Sequence, residues 1–224
     1  MKNKANKGCN IITFLAELGT EEMRRARWFI DTANALIKHH FGIQTSFDIV
    51  ICNGAWEMEV QVITRKEGAL APYNARNRIS NNSRGNNLQE PLLYDDTKVI
   101  GLTDYRLEEI VIRFDAAKFG HYLHELIHGV INKDHPHQLR EGLAWYFTLK
   151  LTENNKYTRP SYPPWIDTLY VYPTKRLAMI VGDDFLKDIA VKKASVNRNY
   201  FPNDIQELFL PEEVFYSRKK YYRF

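Results

Sequence analysis

Cysteine is scarce in this sequence, with only Cys9 and Cys52 among 224 residues. A secreted domain built on disulfides would contain more cysteines, so the count fits a reducing compartment. One disulfide between the two cysteines is the alternative. A chain of this length can bury a sizeable core without cross-links. We therefore expect any bound metal to serve function rather than folding.

Long apolar runs are also missing, and none approaches the roughly 18 residues of a membrane span. Residues 1–10 are basic and polar, and the apolar stretch at 11–18 is short, which makes a poor signal peptide. We expect no membrane span and favour a cytoplasmic location. A secreted mature form is the alternative, because a signal peptide that has been removed leaves no trace in the sequence. The sequence does not indicate the oligomeric state.

An excess of one charge is lacking as well. Lys and Arg number 31 against 27 Asp and Glu, a formal net charge of +4. This excess is too small to indicate a nucleic-acid partner, and part of it lies in the two ends of the chain, where charges are usually solvated.

The apolar periodicity predicts strands first and helices later, typical of an α+β fold. We expect a small mixed sheet with an active-site helix, followed by a mostly helical C-terminal subdomain. Strands are predicted at 11–16, 47–52, 58–64, 99–102 and 109–114. Helices are predicted from Glu21 to about Gly42, at about 116–131, 137–151 and 174–190, and after Pro202.

The domain organisation predicted from this layout is simple. A basic segment at 1–10 precedes a single catalytic domain at 11–224, with halves at 11–131 and 132–224. Residues 74–97 are a loop insert, because Asn, Arg, Ser and Gly dominate its first part without an apolar period. A surface insertion is the simpler interpretation, and an active-site flap is the alternative.

The run His124-Glu125-Leu126-Ile127-His128 carries the strongest chemical signal. Histidines four residues apart lie on one face of a helix and can share one ion. Glu125 lies about 100° around the helix from His124, where it can reach a metal-bound water rather than the metal. A zinc hydrolase needs this division between ligands and base.

Chance produces such a run in about one chain in a hundred, and then it marks only an exposed polar helix. The neighbouring residues favour a core helix instead, in which polar side chains need partners. A metal would satisfy the two histidines. The apolar residues of this helix are Leu123, Leu126, Ile127, Val130 and Ile131.

Glu141 is the best candidate for a third ligand. With helices ending near residue 131 and starting near residue 137, His128 and Glu141 each lie about 5 Å along their helix from the turn. Gly142 would let the two helices approach closely. Asp134 is the rival third ligand. His121 is a partner of a ligand or an ordinary polar residue, and His135 and His137 are expected to be loop residues rather than ligands.

The paired motif resembles the gluzincin metallopeptidases, in particular compact bacterial peptidases of the MA-like kind, distantly similar to thermolysin and aminopeptidase N. It joins the first run to Leu139-Arg140-Glu141-Gly142-Leu143-Ala144-Trp145-Tyr146-Phe147. The resemblance implies a zincin-like fold and one Zn²⁺ per chain, bound by His124, His128 and Glu141. It also implies that Glu125 is the general base and that the strand before the motif is an edge strand pairing with extended substrate.

Two features depart from the family pattern. Only 12 residues separate His128 from Glu141, fewer than in the large aminopeptidases. Trp145 stands where thermolysin-like enzymes have an Asp that supports a ligand. The run Gly54-Ala55-Trp56-Glu57-Met58 is faintly similar to the aminopeptidases' substrate motif, but it comes far too early in the chain and is taken as coincidence.

Tyr172 is the candidate for stabilising the oxyanion, because aminopeptidase-like relatives have a Tyr just before a Lys-containing helix start, as in Tyr172-Pro173-Thr174-Lys175. Packing is the alternative role, and Tyr170, Tyr162 and Tyr157 are alternative donors. The sequence thus predicts a zinc-dependent peptidase acting on peptides or proteins. The alternative is a non-catalytic metal-binding interaction module with the same fold.

Overall fold

The computed structural model of the chain describes most of the predicted domain. The described residues are 11–15, 18–54, 57–58, 60–61, 100–153, 162, 164–192, 197–211 and 214. The basic segment at 1–10, the predicted insert at 74–97 and Tyr157 lie outside them.

Four short strands form one mixed sheet in the order β1-β2-β4-β3. β1, β2 and β4 are parallel, whereas β3 runs antiparallel to β4 and pairs Thr103 with Ile110. The prediction of an α+β fold with a small mixed sheet is confirmed. The strands are β1 at Ile12–Phe14, β2 at Asp48–Cys52, β3 at Gly101–Asp104 and β4 at Glu109–Arg113.

Both faces of the central strands are buried, which explains their nearly continuous apolar sequence. Ile49 and Ile51 of β2 belong to the main core, in which the helices pack on the sheet, whereas Val50 belongs to a second, smaller cluster. The same alternation places Val111 of β4 in the smaller cluster. The main core also contains residues from the C-terminal part of the chain, such as Leu186.

Helix α1, Thr20–Phe41, begins one residue earlier than predicted. Gly19 is its N-cap, and the Glu22 carboxylate accepts a hydrogen bond from the Gly19 N–H at 2.8 Å. The helix ends where predicted, at Gly42, whose φ of 74° lies in the left-handed region that glycine tolerates best. Buried apolar residues of α1, including Ile30, belong to the main core.

Helices α2, Phe119–His128, and α3, His137–Leu151, form the hairpin that carries the predicted site. The bounds of α3 are those predicted. α2 is shorter than predicted, because the chain leaves the helix at Gly129. All ten residues of α2 are buried, so this is a core helix rather than an exposed polar one.

The C-terminal part is helical but more broken than predicted. Pro173 has no N–H for the i→i−4 ladder, and a π-helical turn, Asp167–Val171, lies just before it. Gly182, with a φ of 81°, ends one helix and begins the next, so the single helix predicted at 174–190 is wrong. The helices here are α4 at Pro164–Ile166, α5 at Tyr172–Val181, α6 at Asp183–Val191 and α7 at Asn203–Glu207.

The strand predicted at 58–64 is wrong wherever the structure describes it, because residues 57, 58, 60 and 61 are helical. The Met58 N–H donates to the Gly54 carbonyl at 3.1 Å, which is a helical hydrogen bond. The Glu57 carboxylate accepts from the Asn53 N–H at 2.6 Å and so stabilises the start of this turn. A short run of alternating apolar and polar residues does not distinguish a strand from a helix.

No helix within the described ranges is both long and apolar enough to cross a membrane.

Candidate metal centre

The side chains of His124 and His128 project from the same face of α2 because they lie one helical turn apart. Glu141 lies one turn into α3, and the hairpin brings its carboxylate to the same place. The two imidazoles are buried, whereas Glu141 keeps part of its surface exposed. In the described part of the chain these three residues form the group that could hold a metal ion.

The spacing of the three donors matches that of a tetrahedral ion. The Nε2 atoms of His124 and His128 lie 3.2 Å apart. The Glu141 carboxylate lies 3.3 Å from His128 Nε2 through Oε1 and 3.7 Å from His124 Nε2 through Oε2. Metal–ligand bonds of 2.0–2.1 Å in a tetrahedron separate the ligand atoms by about 3.3 Å. The geometry and donor chemistry therefore fit a small divalent ion.

The protonation of Glu141 suits a ligand. Burial alone would raise the pKa of this carboxyl, but the imidazoles of His128 and His124 outweigh burial and hold the pKa well below its ordinary value. The carboxylate is therefore negative near neutral pH and available to a cation.

Glu125 lies beside the ligand group without belonging to it. Its Oε2 accepts a hydrogen bond of 2.7 Å from the Thr103 hydroxyl on β3. Burial raises the pKa of Glu125 to about 7, and the lowering effects of His124 and the Thr103 hydrogen bond do not cancel that rise. A carboxyl with such a pKa can both accept and return a proton at neutral pH.

Tyr105, in the turn after β3, is a site residue that the sequence reasoning missed. Its hydroxyl lies 2.9 Å from Nδ1 of His128. Burial raises the pKa of this phenol well above its ordinary value, so it stays neutral. Its position in the sequence shortly before β4 could have indicated this contact only if the pairing of β3 with β4 had been known.

Trp145 stacks against His124, with 4.2 Å between the ring centroids, and Tyr162 lies 4.8 Å beyond it. An indole therefore lies against the imidazole at the position where the thermolysin-like pattern has an Asp. Among the described residues, no hydrogen-bond partner reaches the buried Nδ1 of His124.

Asp134, the rival third ligand, lies exposed in the turn between α2 and α3. Its backbone N–H donates to the Asn132 side chain at 3.0 Å, which shapes the turn. Asp134 is not part of the ligand group formed by the described residues, so the geometry favours Glu141.

The other histidines nearby have structural contacts. His121 Nδ1 accepts from the Lys118 N–H at 3.0 Å and caps α2. His135 Nε2 lies 2.6 Å from the Ile189 carbonyl. The ring of His137, the first residue of α3, contacts Tyr170 edge-on. None of the three belongs to the ligand group of the described chain.

Gly142 permits a close approach, but not the predicted one between α2 and α3. A Cβ at this position would lie 2.2 Å from the Thr174 Oγ1 and 3.2 Å from the Tyr170 carbonyl. The residue after Glu141 therefore brings α3 against the π-helical turn and α5. The expectation that Gly142 lets α2 and α3 approach closely is wrong, because the atoms nearest to a Cβ at this position belong to Thr174 and Tyr170.

Tyr172 is not brought to the ligand group by the contacts that the structure shows. Its ring is 56% exposed, and the Arg176 guanidinium lies 5.9 Å from its centre. Tyr170 and Thr174 face α3, and a residue two positions from each points to the other side of the helix. The catalytic role of Tyr172 stays a prediction.

The strand that precedes α2 is not the edge strand that the resemblance implied. β4 lies between β2 and β3, and the outer position belongs to β3. The reason is the tight turn at 105–108, which folds β3 back onto β4 on its free side. Among the strands that the structure describes, the edge strand beside Glu125 is therefore β3.

No family model, curated protein or solved structure matches this chain. The interpretation of the site therefore depends on its own residues and their geometry.

Proposed function

We propose that the protein is a zinc-dependent peptidase in which His124, His128 and Glu141 bind the ion and Glu125 is the general base. The observation that carries the proposal is the separation of roles within one hairpin. Two imidazoles and one carboxylate stand at tetrahedral spacing, and a second carboxyl, the buried one of Glu125, lies beside them but outside their group.

Zinc is the ion that this donor set fits best. Two imidazoles and one carboxylate are typical of catalytic zinc sites, which keep a fourth position for water. When bound, zinc would polarise the substrate carbonyl and lower the pKa of that water. A site that only stabilised the fold would be expected to have four protein ligands.

Glu125 supplies the proton transfer. Its carboxylate takes the proton of the attacking water and gives it to the leaving amine, so the group ends the cycle as it began. The pKa of about 7 is close to the value that makes both transfers efficient. In an interaction module that only kept the metal, a buried carboxyl held by Thr103 would have no such use.

The edge of the sheet supports a peptide as the substrate. In the described sheet β3 has one neighbour, β4, and Thr103 of β3 contacts Glu125. An extended peptide that adds to such an edge is held by main-chain hydrogen bonds. The peptide bonds of such a substrate would then lie close to Glu125 and to the three ligands.

Hydrolysis of unfolded casein tests the proposal. We expect the zinc-loaded protein to cleave casein, a chelator to stop the cleavage and added zinc to restore it. The Glu125→Gln variant is the matched control, because it keeps the shape of the side chain and loses the base. No cleavage by the zinc-loaded wild type, or cleavage equal with and without chelator, would refute the proposal.

A further inference from the structure

Alternate residues of β3 and of the turn that follows it face α2. A Cβ on Gly101 would come within 2.4 Å of the Glu125 carboxylate. Thr103 donates to the same carboxylate, and Tyr105 reaches His128. Residues two apart share one face of a strand, and residues three apart share one face of a helix. The alternate residues from 101 to 105 can therefore reach both Glu125 and His128.

These three residues, two in β3 and one in the turn after it, differ in how they act on α2. Gly101 leaves the space that the Glu125 carboxylate occupies. Thr103 donates a hydrogen bond of 2.7 Å to that carboxylate. Tyr105 places its hydroxyl 2.9 Å from the Nδ1 of His128, on the side of the ring away from the ligand atom Nε2.

Tyr105 is itself held in place from two sides. The Arg140 guanidinium lies over its ring at 4.3 Å from the centroid, and Phe47 contacts it edge-on at 5.9 Å. Arg140 is anchored in turn by a hydrogen bond of 2.9 Å to the Lys133 carbonyl. The hydroxyl is therefore fixed in position before any ion binds.

We propose that β3 and the turn after it are the positioning element of the site, in which Tyr105 orients the metal ligand His128 and Thr103 orients the base Glu125. This inference rests on the proposed function. It assigns the orientation of the ligand to one residue and the orientation of the base to another. If Nε2 of His128 binds the ion, Nδ1 carries the proton and its N–H donates a hydrogen bond to the Tyr105 oxygen. The Thr103 hydroxyl holds one carboxylate oxygen of Glu125 and leaves the other for the attacking water.

Because the two residues have different roles, one variant should lose zinc affinity and the other should lose turnover. Tyr105→Phe removes the partner of a ligand, so zinc affinity should fall about 10- to 100-fold. Thr103→Val removes the partner of the base and touches no ligand. It should lower kcat about 10-fold or more while KM and zinc affinity change little.

Each variant has a matched control within the chain. Tyr122→Phe removes a buried hydroxyl from α2, and Thr148→Val removes one from α3; neither hydroxyl has a hydrogen-bond partner among the described residues. Thr103→Ser keeps the hydroxyl and should restore most of the turnover. Both controls should keep zinc affinity and kcat near those of the wild type.

The decisive experiment is a zinc competition titration of metal-free wild type, Tyr105→Phe and Tyr122→Phe, together with their thermal unfolding without metal. Weaker zinc binding in Tyr105→Phe alone, with all three metal-free proteins equally stable, supports the inference. Equal zinc affinity in all three overturns it and leaves the proposed function intact. A wild type that binds no zinc overturns the proposed function itself. For Thr103, equal kcat in the Val and Ser variants overturns its role.

Discussion

Oε1 of Glu141 lies 3.3 Å from Nε2 of His128, although 12 residues and a turn separate them in the chain. The antiparallel helices α2 and α3 bring one residue from each to the same height. The turn that makes this possible contains Asp134, which itself faces solvent.

Glu141→Ala is therefore expected to weaken zinc binding more than about 100-fold, because a three-ligand site becomes a two-ligand one. Asp134→Ala is the control, since it removes a carboxylate of the same hairpin that lies outside the group. Its zinc affinity should change little in a competition titration. The reverse order of the two variants would transfer the ligand role to Asp134.

Gly101→Ala should lower turnover about 100-fold without loss of zinc. The new Cβ would lie 2.4, 2.6 and 2.7 Å from Oε1, Cγ and Cδ of Glu125, so the whole of this flexible side chain must shift. The carboxylate can move away and spare the fold, but the base is then misplaced by about 1 Å, which is enough for such a loss. Zinc content and kcat are the measurements.

Gly54→Ala is the control for this change, because a Cβ there meets nothing within 4 Å. Wild-type kcat in both glycine variants would show that the position of Glu125 does not govern the reaction.

The α2–α3 hairpin is the part of the site that could be predicted from the sequence. Its periodicity gave the bounds of α3, and regular helix geometry then placed Glu141 opposite His128. Long-range strand pairing was not predictable in this way. The contacts of Thr103 and Tyr105 with α2 depend on β3 taking the outer position in the sheet, which no local pattern indicates.

Two errors in the fold have local causes. The run beginning at Met58 alternates like a strand, but the Glu57 side chain stabilises a helical start that a pattern of apolar residues does not register. The helix predicted across Gly182 is interrupted there by a left-handed φ of 81°. Glycine within a periodic run allows both outcomes, and Asp183 favours a new start as an acidic first residue of α6.

Tyr172→Phe tests the oxyanion role predicted from the resemblance. That role requires a fall in kcat of about 100-fold, with KM and zinc content little changed. Packing is the alternative role of Tyr172, and it requires turnover near that of the wild type. A selective fall in kcat would establish the predicted role despite the exposure of the ring.

Asp183 should stabilise the fold in a pH-dependent way. Hydrogen bonds from Lys150 and Tyr146 hold the pKa of Asp183 below its ordinary value. The stabilisation is therefore complete above the ordinary pKa of about 3.9 and is lost as the pH falls through the lower, folded value. At pH 7, Asp183→Asn should cost about 1 kcal/mol, or about 2–4 °C in Tm.

The matched control for this effect is Asp184→Asn, since the Asp184 side chain is 97% exposed and pairs with Lys187 on the surface of the same helix. Thermal unfolding at pH 7 and in acid is the measurement. We expect a smaller loss in the control, and a difference between wild type and Asp183→Asn that shrinks in acid. A difference independent of pH would mean that the charge of Asp183 is not its cause.

The zinc content of purified, zinc-incubated wild type and Glu125→Gln tests the central claim most directly. Elemental analysis should give about one zinc per chain in both proteins, because Glu125 lies outside the ligand group, while only the wild type hydrolyses casein. A folded wild type that remains free of zinc after incubation would contradict the account.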